Sequence, residues 1–206
     1  MLKQAWLALL VLTLGGCRIV SQQELADLKS PPNPHMVDID RTWQSKIVPQ
    51  IVGQARPVAA LLSALQAAND FDSACQTLGY RSQDENPCIF YVTVEGKIDS
   101  IDTTSRSGKM TVEDRGGDKI IVQTGPTLRG TLLRDAYKEA SYGDFNDQVL
   151  FGEYGRAINE QAVKMIQAAR LKAGDRVRID GVFSAWDIPR SAPTITPARI
   201  ESPQGE

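Results

Sequence analysis

The residues best suited to chemistry sit in one stretch, Gly125-Pro126-Thr127-Leu128-Arg129-Gly130-Thr131-Leu132-Leu133-Arg134-Asp135, followed by Asp144-Phe145-Asn146-Asp147-Gln148. A strand running into a helix there frees backbone N–H groups. Together with Arg129 or Arg134, these suit a carboxylate, a phosphate or a sugar hydroxyl. Asn146 and Gln148 add paired donors and acceptors. Gly125, Arg129, Arg134, Asp135, Asn146 and Gln148 are therefore the candidate ligand-binding residues. The same residues admit a purely structural reading: Gly-Pro makes the turn, Arg134 pairs with Asp135 or Asp144, and the two amides bond to loop backbone. Both readings stay open at this point.

Other chemistry is poorly supplied. The single histidine, His35, has no second His to complete a metal site and falls in a proline-containing spacer. Asp144-x-Asn146-Asp147 begins like a calcium loop, but Val149 stands at the sixth position, where Gly is needed, and Gly155 at the twelfth, where a bidentate Glu belongs. Asp99/Asp102 and Asp84/Glu85 pair carboxylates as glycosidases do, yet a strand end and a turn offer nothing to raise one pKa. With no nucleophile beside a base, the sequence predicts a non-enzyme without metal or cofactor.

The cysteines divide into one and two. Lys3 precedes an apolar run from Ala5 to Leu14, whose ten residues span about 15 Å as a helix, half of a roughly 30 Å hydrocarbon core. The run reads as a cleaved leader. Leu14-Gly15-Gly16-Cys17 resembles the bacterial lipobox, which implies a lipidated Cys17 as the first mature residue. Several acyl chains, at about 0.8 kcal/mol per buried methylene, hold a protein on a membrane without spanning it. The expected location is the bacterial envelope, facing the periplasm. Arg18 stands where an Asp would resemble an inner-membrane retention signal; that favours the outer membrane and leaves the choice open. Cys75 and Cys88 then remain, and an oxidising compartment permits their one pairing, worth about 3 kcal/mol for a loop of this size. Two unpaired core thiols are the alternative.

With 42% hydrophobic and 23% charged among 206 residues, the composition is that of one medium globular domain with an appendage. A net charge of -2 lacks the basic footprint of a nucleic-acid binder. The chain divides into a leader (1–16), a lipidated tether with Pro31, Pro32 and Pro34 (17–40), a helical segment (41–87) and a strand-rich part (88–206). Pro49 and Pro57 are expected to interrupt the helical segment, where Ala60, Leu61, Ala64, Leu65 and Ala68 form an apolar face.

From Ile89 the period becomes two, giving a long bent strand interrupted at Gly96, then strands on either side of the Asp114–Asp118 turn. A helix is predicted from Phe145 to Leu171, capped by Asp144, with Phe151, Tyr154, Ile158, Ala162, Met165 and Ala169 on one face. Strands from Arg176 to Trp186 and Thr194 to Glu201 close the chain. This order predicts an α+β fold: a small OB-like five-stranded β-barrel with a helical insertion between strands three and four that plugs one end of the core. A small open sheet with helices on one face has the same order.

VQTGPTLRGTLLRDA, SYGDFNDQVLFGEYGRAIN and GDRVRIDGVFSAW with ITPARIE resemble the predicted periplasmic lipoproteins built on a domain of unknown function, from Trp43 to Glu201. The most specific matches are Gly125-Pro126, Arg129-Gly130-Thr131, Arg134-Asp135, Asp144-Phe145, Gln148 and Asn159. The resemblance implies genes beside those of sugar ABC transporters, and it supplies no enzyme activity or catalytic residue to carry over. The Cys75/Cys88 pair is not a family feature and rests on spacing alone. The expectation is a membrane-anchored, non-enzymatic accessory or binding module whose partners are the membrane and sugar ABC-transporter components. The alternative is a direct binder of a small sugar or organic anion.

Overall fold

The computed structural model describes residues 20–22, 24–25 and 33–202, in two units, Met1–Pro34 and His35–Glu206. The leader, Cys17 and most of the tether lie outside the described residues. In the first unit the Ser21 hydroxyl accepts the Glu24 N–H (3.0 Å) and the Ser21 carbonyl accepts the Leu25 N–H (2.9 Å), which starts a helical turn.

The second unit opens with α1 (Ile39–Thr42), a π turn (Trp43–Ile47) and α2 (Val48–Gln54). Pro49 does not interrupt this helix as the sequence suggested. Proline lacks an N–H and crowds the carbonyl four residues back. The wide turn just upstream, where the Val48 N–H reaches the Trp43 carbonyl, makes room for it. After the two-residue β1 (Arg56–Pro57) comes α3 (Val58–Gln66), which buries Val58, Leu61 and Leu65 and leaves Ala60 and Ala64 exposed. Asp70 accepts the Ser73 N–H (2.8 Å) and begins α4 (Phe71–Leu78).

The sheet consists of β2 (Cys88–Asp102), β3 (Ser107–Asp114), β4 (Lys119–Pro126), β5 (Arg176–Ala185) and β6 (Thr196–Glu201), in the order β4-β3-β2-β5-β6, with β1 pairing to β2. The Gln123 N–H donates to the Ile195 carbonyl and the Ile195 N–H to the Ile121 carbonyl, each at 2.9 Å in the parallel sense. That contact closes the curled sheet on itself, and the result is the OB arrangement. Gly96 belongs to both ladders of β2, facing Val177 on one side and Asp114 on the other. A Cβ at Gly96 would lie 2.2 Å from the Glu113 carbonyl oxygen, so only glycine permits the coil that lets one strand serve both halves.

Between β4 and β5 lie α5 (Leu132–Ala136), α6 (Tyr142–Phe145) and α7 (Gln148–Ala168). The helix predicted from Phe145 in fact begins at Gln148. Asn146 adopts a left-handed conformation (φ 49°) that ends α6, and Asp147, rather than Asp144, accepts the Val149 and Leu150 N–H groups (2.7 and 3.0 Å).

Two cores result. The barrel interior joins Phe90, Val92, Val94, Met110, Val122 and Ile179 to Leu61 and Leu65 of α3. The outer core joins Tyr154, Ile158 and Ala162 of α7 to Ile47, Ile89, Tyr91 and Val182. The inserted helix therefore covers the outside of the barrel, and α3 with α4 supplies the apolar filling that the sequence reading gave to the insertion. The cause is on the strands: Ile89, Tyr91 and Val182 make one end of the outer sheet face apolar, and such a face has to be covered.

Cys75 and Cys88 are joined as a disulfide, with Cα atoms 5.9 Å apart, and tie α4 to the start of β2. Replacing both with serine is expected to lower the unfolding free energy by about 3 kcal/mol. Urea unfolding of variant and wild type measures this; coincident curves would show that the bond constrains nothing.

Candidate functional site

The elbow after β4 folds onto its own charges. Arg134 donates from Nε (2.9 Å) and Nη2 (2.6 Å) to Asp135 Oδ1, from Nη2 to Thr131 Oγ1 (3.0 Å), and from Nη1 to the Phe151 carbonyl (3.1 Å). Its guanidinium also lies 3.7 Å from the centre of the Phe151 ring. The Thr131 hydroxyl donates to the other Asp135 oxygen (2.9 Å). With its side chain only 12% exposed, Arg134 is a fixed part of a wall. Opposite it, α7 comes close because position 155 is glycine; a Cβ there would meet Thr131 Cγ2 at 2.8 Å. Asn159 adds a bond from Nδ2 to the Gly130 carbonyl (2.7 Å).

Arg134, Asp135 and Gln148 share one cleft of about 530 Å³. Gly125, Arg129 and Asn146 do not line it. Gly125 turns the chain at the end of β4 with φ 83°. Arg129 is exposed on the β3 side, its N–H donating to Gln123 Oε1 (2.7 Å) and its Nε to Ser107 Oγ (3.0 Å). Asn146 forms the left-handed link between α6 and α7.

The facing wall is Tyr80, Ser82, Gln83, Asn86 and Pro87, all within the loop that the disulfide closes. Lys138 follows α5 and its ammonium lies 5.1 Å from the centre of the Tyr80 ring. Tyr142 and Phe151 complete the cleft and meet edge to face at 5.8 Å, while Gly152 adds room at the same wall by lacking a side chain. Behind them Phe145 packs on Phe151 (5.1 Å), Tyr154 (5.2 Å) and His35 (4.0 Å). Hydrogen bonds from the Ser141 side chain and backbone hold the Asp144 carboxyl below its usual range. Glu139 is likewise lowered, first by its bond from Lys46 and then by the one from the Tyr137 hydroxyl. Burial raises Tyr137 and Tyr154.

Aromatic faces, amides and few charges around one concavity suit a small polar molecule. A larger space, about 850 Å³ at the edge of the barrel, has no aromatic lining, and several of its charges pair with one another, as in Arg178–Glu95 (2.6 Å). Among the described residues no group of three or more His, Cys, Asp or Glu could hold a metal ion. Sequence reasoning missed Tyr80, Gln83, Lys138 and Tyr142. For Tyr80 and Gln83 the signal available was the disulfide spacing itself, since pairing Cys75 with Cys88 brings the intervening loop beside the first strand; nothing local marked Lys138 and Tyr142.

The family model described as predicted periplasmic lipoprotein (DUF2291) matches residues 7–201. The chain belongs to this family. The lipoprotein is thus a lipid-anchored envelope protein facing the periplasm. Among the described residues no helix is long and apolar enough to cross a membrane.

An OB-fold protein from Thermotoga maritima, known from its crystal structure, superposes with a TM-score of 0.64 at 14% identity, over 82% of this chain and 97% of that chain. The likeness shows the fold. OBody AM1L10 bound to hen egg-white lysozyme matches with a TM-score of 0.30 at 20% identity, over 56% of this chain and 80% of that chain. No curated protein matches the lipoprotein.

If Arg134 builds the wall, Arg134→Met is expected to cost about 2–4 kcal/mol, because it strips a half-buried carboxylate of its partner. Arg129→Ala is expected to stay within about 0.5 kcal/mol. Chemical denaturation of the two variants side by side decides the matter, and equal losses would contradict the assignment.

Proposed function

We propose that this lipoprotein is a non-enzymatic binding module. In this reading lipid on Cys17 holds it at the membrane, the cleft between Tyr80 and Phe151 captures a small hydroxyl-rich molecule of the sugar class, and the protein serves a sugar ABC transporter. The observation that carries the reading is the convergence of Tyr80 and Gln83 from the disulfide-closed loop, Tyr142 of α6, and Gln148 and Phe151 of α7 onto one cleft. Ring faces pack on the C–H side of a sugar, and amides give each hydroxyl a donor and an acceptor.

The paired acids support the absence of catalysis. Side-chain and backbone hydrogen bonds from Thr104 hold the Asp102 carboxyl below its usual range, the reverse of what a general acid needs, and Asp99 is paired with Lys119 at 2.9 Å. The accessory role is supported by Trp186, whose residue is 68% exposed after β5, an aromatic of the kind that anchors protein contacts.

Thermal shift with mono- and disaccharides and organic acids at about 1 mM should raise the midpoint for at least one compound; a Kd near 10 µM gives about 2.7 kcal/mol. Tyr142→Ala, at the rim, should abolish the shift while leaving the unliganded midpoint nearly unchanged. If no compound shifts the wild type, the binding reading fails. The mature wild type should carry fatty acid at Cys17, and Cys17→Ser should not; a wild-type protein whose mass shows Met1 retained and no acyl chains would contradict the anchor.

A further inference from the structure

The charged side chains that line the cleft are Arg134, Asp135 and Lys138. Two of these are already matched, since Arg134 and Asp135 meet at 2.6 Å and bond to each other twice. Glu139, next in sequence to Lys138, is occupied by Lys46 at 2.9 Å and by the Tyr137 hydroxyl at 2.7 Å. Among the described residues Lys138 forms no salt bridge, and its ammonium rests against the Tyr80 ring.

The backbone beneath Lys138 is pinned. Its N–H donates to Gln50 Oε1 (3.1 Å), while Gln50 Nε2 donates to the Ala136 carbonyl (2.7 Å). The cleft thus presents one positive charge, on a pinned stretch of backbone and with no negative partner among the described residues, beside amides and aromatic faces. We infer that its ligand is an acidic sugar, a polyhydroxylated carboxylate whose carboxyl group is received by Lys138. This rests on the binding reading above and names its ligand class.

Two chemical choices lead there. Lys138 is exposed and stays solvated beside a neutral sugar, whereas a carboxylate seated in the cleft gains a charge-assisted hydrogen bond from it that the neutral sugar lacks. A phosphate ester carries close to two charges and is ordinarily met by more than one cation; here the second cation, Arg134, already holds Asp135. Gln83 and Gln148 remain for hydroxyls, and the exposed Tyr142 for the ring.

Titration calorimetry of the full mature chain with galacturonate against galactose, and glucuronate against glucose, tests this directly. The expected result is at least tenfold tighter binding of the acid in one pair. That preference should be lost in Lys138→Gln, kept in Lys138→Arg and weakened by added salt. Lys138 is exposed, so both variants should melt like the wild type. Equal binding of acid and neutral partner, or a preference that survives Lys138→Gln, overturns the acidic-ligand inference and leaves sugar binding standing. No binding by any of the four, with no shift across the wider panel, overturns both.

Discussion

From Cys88 to Val94 every residue of β2 is buried, and the two cores meet on this one strand. Phe90, Val92 and Val94 face the barrel interior while Ile89 and Tyr91 face the helices. Each such side chain contributes about 1.5–3 kcal/mol when removed from water, so the strand binds both halves of the fold into one cooperative unit. From Thr93 onward the outward positions of the sheet become ionic. Thr93 and Arg199 both donate to the fully buried Asp180, and then Arg178 meets Glu95. A buried carboxylate without those donors would cost several kcal/mol. The position of Asp180 thus marks where the outward side turns ionic.

The same strand locates the candidate site. The Tyr91 hydroxyl donates to the Ala136 carbonyl at 2.7 Å, and Gln50 of α2 donates to that same oxygen at 2.7 Å. Burial raises the Tyr91 pKa, so the phenol stays a donor throughout the ordinary pH range. The end of α5 is therefore nailed to the sheet and to α2 at once, and Arg134 nails its other side to Phe151. A short helix of this length has little stability of its own. It stands because three neighbours hold it, and it carries Lys138 to a fixed place.

Strand order and closure were legible because period-two runs, the Asp114–Asp118 turn and Gly96 are local signals. Asp114 Oδ1 does accept the Gly116 and Asp118 N–H groups (2.8 and 2.9 Å), as a tight Asx-type turn requires. Which core the inserted helix would cover was not legible. Tyr91 sits at an outward position of the alternation, and only the fold shows that this outward side is also packed. The start of α7 was misread for a similar reason: Asp144 and Asp147 are both good caps by type, and the left-handed Asn146 between them decides which one works. The cleft was half legible. Arg134, Asp135 and Gln148 were singled out, but their partners across the gap come from a loop some fifty residues earlier in the chain.

That loop links compartment to site. Tyr80, Ser82, Gln83, Asn86 and Pro87 all lie between the two joined cysteines, and one backbone bridge, Tyr80 to Ile89, holds the loop against the sheet (2.8 and 2.7 Å). A segment rich in polar side chains and turn residues cannot bury enough apolar surface to order itself. Closing it covalently removes much of the chain entropy that would otherwise oppose a defined wall. The periplasm supplies the oxidising conditions under which such a bond persists. The residues that would face a ligand are thus ordered by the environment to which the lipoprotein is exported, and a cytosolic copy of the same chain would keep the barrel while losing definition along one side of the cleft.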